Sequence, residues 1–449
     1  LHAWWPAFPR RADGLTADAR LSMGADSLYA SGQFSAASLT FGGVKVDEAD
    51  AEYELSGRFG APLTESMQST ARVSAERVQA GGPPIMRPSV SLSYQNRTGT
   101  LQLTADSIGI ADSLRLISDL RITPQTNELL LRRVSVNVDG GTWTNPSPAS
   151  VRAYADQFVV APFSLERPHP QMPALQRVTL RGILSSSPTD TLALEAANVY
   201  LPPFSRASGF PHLIGGNVNG TVQLRSGRQE PKLDGTLSVQ RLSYDRRVLG
   251  DARLQAEYDA QSPDLLLSAS LGMDSTSVDQ LAGPTLVPNG ARRIDPNRFS
   301  LSGRIRLPSW AQSGSPEQPS AVPEGETFDM SVDIDRADLF FFRYIFEERV
   351  SKIRGYTAGS LRIGGRFRDP VFDADLTIEN GTVHLPLFGL RYEVDGPVQV
   401  DRRGIHPRGL SVRDDEGSAT VNGSILFNDY RYFSFDLSAT LDEITVIDV

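Results

Sequence analysis

Cysteine is absent from all 449 residues. That excludes disulfides, thiolate nucleophiles and zinc–thiolate centres. Lysine is nearly absent: Lys45, Lys232 and Lys352 are the only three among 44 basic residues. The Arg-for-Lys bias fits either a GC-rich coding sequence or an acidic, salt-adapted surface. The formal net charge is −9, so no nucleic-acid partner is expected; phosphate neutralisation needs clustered Lys and Arg. No stretch reaches the roughly 18 consecutive apolar residues of a membrane helix. The five histidines, His2, His169, His212, His384 and His406, form no His-Glu-x-x-His pair. Neither a G-x-S-x-G elbow nor a phosphate-binding G-x-x-x-x-G-K-[ST] loop occurs. Asp333, Asp335 and Asp338 resemble part of a calcium loop, but the Gly turn and distal Glu are missing. No metal, no cofactor and no catalytic residues are expected, and the chain does not read as an enzyme.

What is present is alternation. Phe433, Phe435, Leu437, Ala439 and Leu441 share one side of a predicted strand, with Ser434, Asp436, Ser438 and Thr440 on the other. Ala419, Val421, Gly423, Ile425 and Phe427 repeat this one strand earlier, and Asn428–Arg431 is a predicted hairpin turn. The same period runs through Val90/Leu92/Tyr94, Leu101/Leu103/Ala105, Val134/Val136/Val138, Leu192/Leu194/Ala196 and Phe328/Met330/Val332/Ile334. With 38 Gly and 30 Pro, this is an ordered, turn-rich β composition. Asn-Gly at 219, 380 and 422 predicts tight turns. Asp414-Asp415-Glu416 before Gly417 predicts an acidic turn.

A repeat is visible. Pairing Pro231 with Pro370 aligns Gly220 with Gly359, Val222 with Leu361, Leu224 with Ile363, Leu237 with Leu376 and Val239 with Ile378. Since one core stops growing at about 250–300 residues, repetition points to a stacked, extended sheet. A soft division is expected at 208/209, giving segments 1–208 and 209–449, with loop insertions at about 274–297 and 309–326. One helix is predicted over Asp338–Ile353. Asp338 serves as N-cap, and Leu339, Phe342 and Phe346 lie on a stripe that plugs or packs against the sheet.

The segment GSLRIGGRFRDPVFDADLTIENGTVHLPLFGLRYEVDGPVQVD, from Gly359 to Asp401, continues into Arg413-Asp414-Asp415-x-Gly417-x-Ala419 and Gly423-x-Ile425. In this order the motifs resemble the conserved C-terminal region of the TamB (translocation and assembly module subunit) family, within the AsmA-like superfamily. The resemblance covers about 355–449 and, more weakly, 215–258. It implies an all-β fold: a long curled antiparallel or mixed sheet forming a U-shaped β-taco trough with an apolar interior. It also implies a periplasmic, cell-envelope location with an inner-membrane anchor outside this chain, whose ends read as cut points. The implied partners are phospholipid acyl chains and a BamA-like outer-membrane barrel, in lipid transport, outer-membrane biogenesis and protein secretion. If strands recur every ~15 residues, about 30 would form a sheet on the order of 140 Å long. Gly216, Gly220, Gly235, Gly359, Gly364, Gly365, Gly381 and Gly423 are the expected kinks.

The expected groove lining is Val222, Leu224, Leu237, Val239, Leu376, Ile378, Val421, Ile425, Phe433, Phe435, Leu437 and Leu441. Such a track gains about 0.8 kcal/mol per buried CH₂. Two other readings stay open: a scaffold or chaperone that binds client strands by edge augmentation, and a structural repeat with a filled core.

Overall fold

The computed structural model describes residues 11–41, 44–58, 63–80, 83–208, 212–225, 232–245, 247–258, 264–272, 297–306, 327–340, 352–366, 369–385, 390–428 and 432–444. The protein is all-β, and every register among the described strands is antiparallel. The chain divides into two compact units. One holds residues up to Leu233 with Ser243–Arg246; the other holds Asp234–Leu242 and most of the chain from Arg247 onward.

The first unit opens with β1 (Arg11–Asp13), β2 (Thr16–Met23), β3 (Ser27–Phe41), β4 (Val44–Arg58) and the single turn α1 (Leu63–Ser66). Next come β5 (Gln68–Ser74), β6 (Arg77–Gln79), β7 (Ile85–Met86), β8 (Ser89–Gln95), β9 (Thr98–Ala105) and β10 (Ser107–Ile108). It continues with β11 (Ser113–Ile122), β12 (Asn127–Val138), β13 (Gly141–Thr144), β14 (Ala149–Ala153) and β15 (Phe158–Pro168). It closes with β16 (Leu175–Leu184), β17 (Thr191–Tyr200), α2 (Pro202–Ala207) and β18 (Ile214–Arg225). The ladder steps from β2 through β3, β4, β5, β8, β9, β11, β12 and β14 to β15–β18. The shorter strands pair beside the ends of the longer ones.

β19 (Lys232–Tyr244) belongs to the second unit over Asp234–Leu242 and pairs with β20 (Arg247–Tyr258). A simple meander follows: β21 (Asp264–Gly272), β22 (Arg298–Arg306), β23 (Thr327–Asp338), β24 (Lys352–Arg366) and β25 (Asp369–Leu385). It ends with β26 (Leu390–Val400), β27 (Gly404–Arg413), β28 (Ser418–Asn428) and β29 (Tyr432–Asp442), each paired with the next. The predicted alternating runs all fall in strands. The described helices are α1 and α2, which the sequence reading did not anticipate. The predicted helix is corrected at its start, because β23 runs through Asp338; Leu339–Phe340 turn helically after it, and 341–351 lie outside the described residues. The Asp338 carboxylate accepts the Phe340 N–H at 2.9 Å, as a capping residue does. Phe342 and Phe346 lie outside the described residues, as do 274–296 and 309–326.

The Asn-Gly pairs are also corrected. They lie within strands, at bulges rather than at hairpin ends. Asn198 (φ 53°), Asn380 (φ 49°) and Gly409 (φ 70°) each occupy a bulge. Their N–H groups donate to the side chains of Asn219, Asp395 and Asn422 on the next strand. The residues that follow those acceptors, Gly220, Gly396 and Gly423, all have positive φ. An Asx side chain thus satisfies the amide that the extra residue frees, and a glycine accepts the bend. Gly423 shows the need: a Cβ there would sit 2.1 Å from the Asp436 carbonyl oxygen. The repeat is visible in the backbone as well. At its spacing, Gly216 and Gly355, Gly220 and Gly359, and Arg241 and Asn380 match in positive φ. Among the predicted kinks, Gly235, Gly364 and Gly381 do not have positive φ.

Candidate functional site

Direct partners in a ladder share a face. In the second unit one row of such partners runs Leu254, Ala269, Leu301, Val332, Leu361, Ala374, Val400, Ile405, Ile425, Phe435. Every member is apolar across ten successive strands, a distance of about 43 Å. A parallel row runs Ala252, Leu271, Phe299, Ile334, Gly359, Leu376, Val398, Pro407. The first unit has its own row: Ala17, Phe34, Ala51, Val73, Val90, Leu103, Leu116, Val134.

The other face is polar in the same registers. Arg253, Ser270, Ser300, Asp333, Ser360, Asp375, Gln399 and His406 form one row. Its neighbour carries Arg362, which grips Asp329 through two bonds of 2.9 Å. The Arg362 hydrogen bond holds the Asp329 carboxyl below its ordinary value. Arg306 likewise pairs with Asp264 at 3.0 Å, and together with Arg304, Thr327 and Asp373 these groups border a shallow cavity of about 520 Å³.

The apolar face is only partly covered. Of the predicted lining, Leu376 is buried, while Val222, Leu224, Leu237, Val239, Ile378, Val421 and Ile425 are half-buried. Phe435, Leu437 and Leu441 keep 68%, 43% and 55% of their surface exposed. The Phe433 side chain lies outside the described residues. The registers bring Leu376, Ile378, Val421, Ile425, Phe435, Leu437 and Leu441 onto one face. Val222 and Leu224 pair with Leu194 and Leu192 in the first unit, while Leu237 and Val239 sit together on β19. The alternation that would have added Leu254, Leu301, Val332 and Leu361 to the lining was legible. What linked them, the register, was not.

One section of the first unit is closed. Ala111, Val138, Trp143 and Val199 are buried there, packed by Val136, Leu165, Val178, Val218 and by Phe204 and Ala207 of α2. The Trp143 and Phe204 rings lie 6.0 Å apart. Arg206 of α2 is tied to Asp139, whose carboxyl its hydrogen bonds lower, and the Ser205 hydroxyl accepts the Ile214 N–H at 2.9 Å. α2 is therefore a fixed cover over a short stretch of apolar face. Pro202 and Pro203 start it where chain direction must change.

One cluster has the residue types of acyl-transfer chemistry. His406 Nδ1 accepts the Ser424 hydroxyl at 2.8 Å, and its Nε2–H donates to Asp401 at 3.1 Å. Burial opposes ionisation of Asp401, but hydrogen bonds from His406 and from the Arg403 and Gly404 amides outweigh it and lower the carboxyl. Those amide bonds make Asp401 the anchor of the β26–β27 turn. Ser424 lies mid-strand on β28, paired with Asp436 of β29. Acyl transfer needs amides free to face an oxyanion. The geometry is that of a clamp between turn and strand. Asp414 does the same at the predicted acidic turn, accepting the Glu416 and Gly417 amides.

Comparison with protein-family models, curated proteins and solved structures returns no match for this chain.

Proposed function

We propose that the apolar face shields lipid acyl chains, as part of a TamB-like envelope protein that carries phospholipid between bacterial membranes. The observation that carries this reading is the row of ten apolar partners across β20–β29, ending at exposed Phe435. A filled core would bury the whole row; here Val332 and Ala374 are buried, Leu254 and Phe435 are exposed and the other six are half-buried. An apolar surface similar from strand to strand lets a chain slide without large barriers. Bulges in β23–β27 supply the bending that a trough requires. The motif order from Gly359 to Ile425 adds the family resemblance. A periplasmic location and a BamA-like barrel partner follow from that resemblance.

Native mass spectrometry and lipid extraction of the purified chain test the reading. Co-purified phospholipid that is lost in the Ile425→Asp/Leu437→Asp double variant supports it. A folded wild-type chain that carries none and takes up none from vesicles sinks it.

A second reading is favoured by β29. Among the described residues this strand pairs only with β28 and is exposed from Ser434 to Asp442. A client strand of an outer-membrane protein would add there through backbone bonds. Pro substitutions on β29 would then abolish client binding, and the double Asp variant would not.

A further inference from the structure

Within β11–β18, the described residues on the apolar face carry one formal charge, Arg167. It shares the face with Leu165 and lies opposite Gln176. Its guanidinium carbon lies 5.6 Å from the centre of the Trp143 ring, under the section that α2 covers. Two donors there are buried and unpartnered, the Arg167 Nη1 and the Trp143 Nε1. Trp143 itself is only 3% exposed. Unmet donors of this kind carry an uncompensated desolvation cost and call for an explanation. Asp139 acts on Arg167 through its charge but does not bond the Nη1, and its Oδ2 is held by Arg206. Burial lowers the Arg167 guanidinium, with Asp139 only partly opposing it. The position is also built. A Cβ on Gly141 would fall 2.2 Å from the Arg167 Nη1 and 2.5 Å from its central carbon, so the glycine leaves the guanidinium its place.

We propose that Arg167 and the Trp143 indole N–H form an anion site that takes the phosphate of a lipid whose chain lies on the apolar face, with α2 as its lid. A guanidinium and an indole N–H are both donors without acceptor capacity, which suits phosphate oxygens. This cover is short and is held by the Arg206–Asp139 pair and by Ser205 rather than by a strand ladder. This assignment rests on the acyl-shielding reading for its lipid, though not for its anion. The chain's net charge of −9 disfavours non-specific adsorption of anionic lipid, so a dependence on one arginine is readable.

The test is calorimetric titration of the full chain with dihexanoyl phosphatidylglycerol, an uncharged alkyl glucoside below its micellar concentration, and inorganic phosphate. Arg167→Gln should weaken the phosphatidylglycerol about tenfold (~1.4 kcal/mol) and leave the glucoside unchanged. Gly141→Ala, whose methyl displaces the guanidinium, should do the same with an unchanged melting temperature. Phosphatidylglycerol binding that is indifferent to both variants overturns the site. Phosphate binding as tightly as the lipid, with the same Arg167 dependence, keeps the anion site and overturns its lipid assignment. If the glucoside fails to bind while both anions keep their Arg167 dependence, the acyl-shielding reading fails and the anion site stands.

Discussion

Trp143 and Phe435 both project from an apolar strand face, yet Trp143 keeps 3% of its surface exposed and Phe435 keeps 68%. Each ring alternates with polar neighbours, Thr142 and Thr144 beside Trp143 and Ser434 and Asp436 beside Phe435. What differs is the cover: α2 sits on the first, and nothing described sits on the second. Alternation creates an apolar face, and a second layer turns it into a core. Among the described residues no helix packs on β29, and Phe435 there stays open to solvent.

The sharpest test of the contrast is a charge placed at each site. Val138→Asp, beneath α2, should cost at least about 4 kcal/mol, because the carboxylate would be desolvated without a partner. Leu437→Asp should cost several kcal/mol less, since water reaches it. Urea unfolding followed by circular dichroism reads both; equal costs would end the distinction. Next in size, Trp143→Ala should lose about 3–4 kcal/mol of stability, and Phe435→Ala less than about 1 kcal/mol. In a hydrophobic-dye or lipid uptake assay the order should reverse, with Phe435→Ala the more damaging.

Backbone devices come third. Gly423→Ala should cost roughly 1–3 kcal/mol, since φ is 129° and the new methyl meets the Asp436 carbonyl. Gly272→Ala, which opens on empty space, should be within about 0.5 kcal/mol of wild type. Thermal melts of the two variants make the comparison.

The smallest effect is on acid stability. Arg206 and Arg362 lower the carboxyls of Asp139 and Asp329. The folded form therefore takes up these protons less readily than the unfolded chain. The stabilisation is present above the ordinary carboxylate value of about 4 and is lost as pH falls through and below it. Both arginines are largely exposed, so the contribution of each pair is small. Arg206→Gln and Arg362→Gln should each flatten the fall in stability below pH 4 and lower the neutral-pH plateau slightly.

The Asx–Gly bulges show why part of the chain was misread. Asn422-Gly423 has the chemistry of a hairpin turn, and an isolated peptide would favour one. In the sheet, the Asn422 side chain instead takes the Gly409 amide from the neighbouring strand, which fixes the pair at mid-strand. Asp338 shows the converse. It was read as a cap and does cap Phe340, but it ends a strand that propensity alone did not extend so far. Arg167 was invisible as a site because a lone arginine near a strand end carries no signal until Gly141 and Trp143 are brought beside it.

Local pattern settled the strands and the two faces of each, because a period of two leaves no other way to segregate Leu, Val and Phe from Ser, Asp and Arg; it left open whether neighbouring strands run antiparallel or mixed. Tertiary structure alone decided the register that joins ten apolar residues into one row, the bulges that bend them and the place where α2 closes the face. Those depend on partners distant in sequence: a one-residue slip between strands would reverse every side chain without changing any local preference.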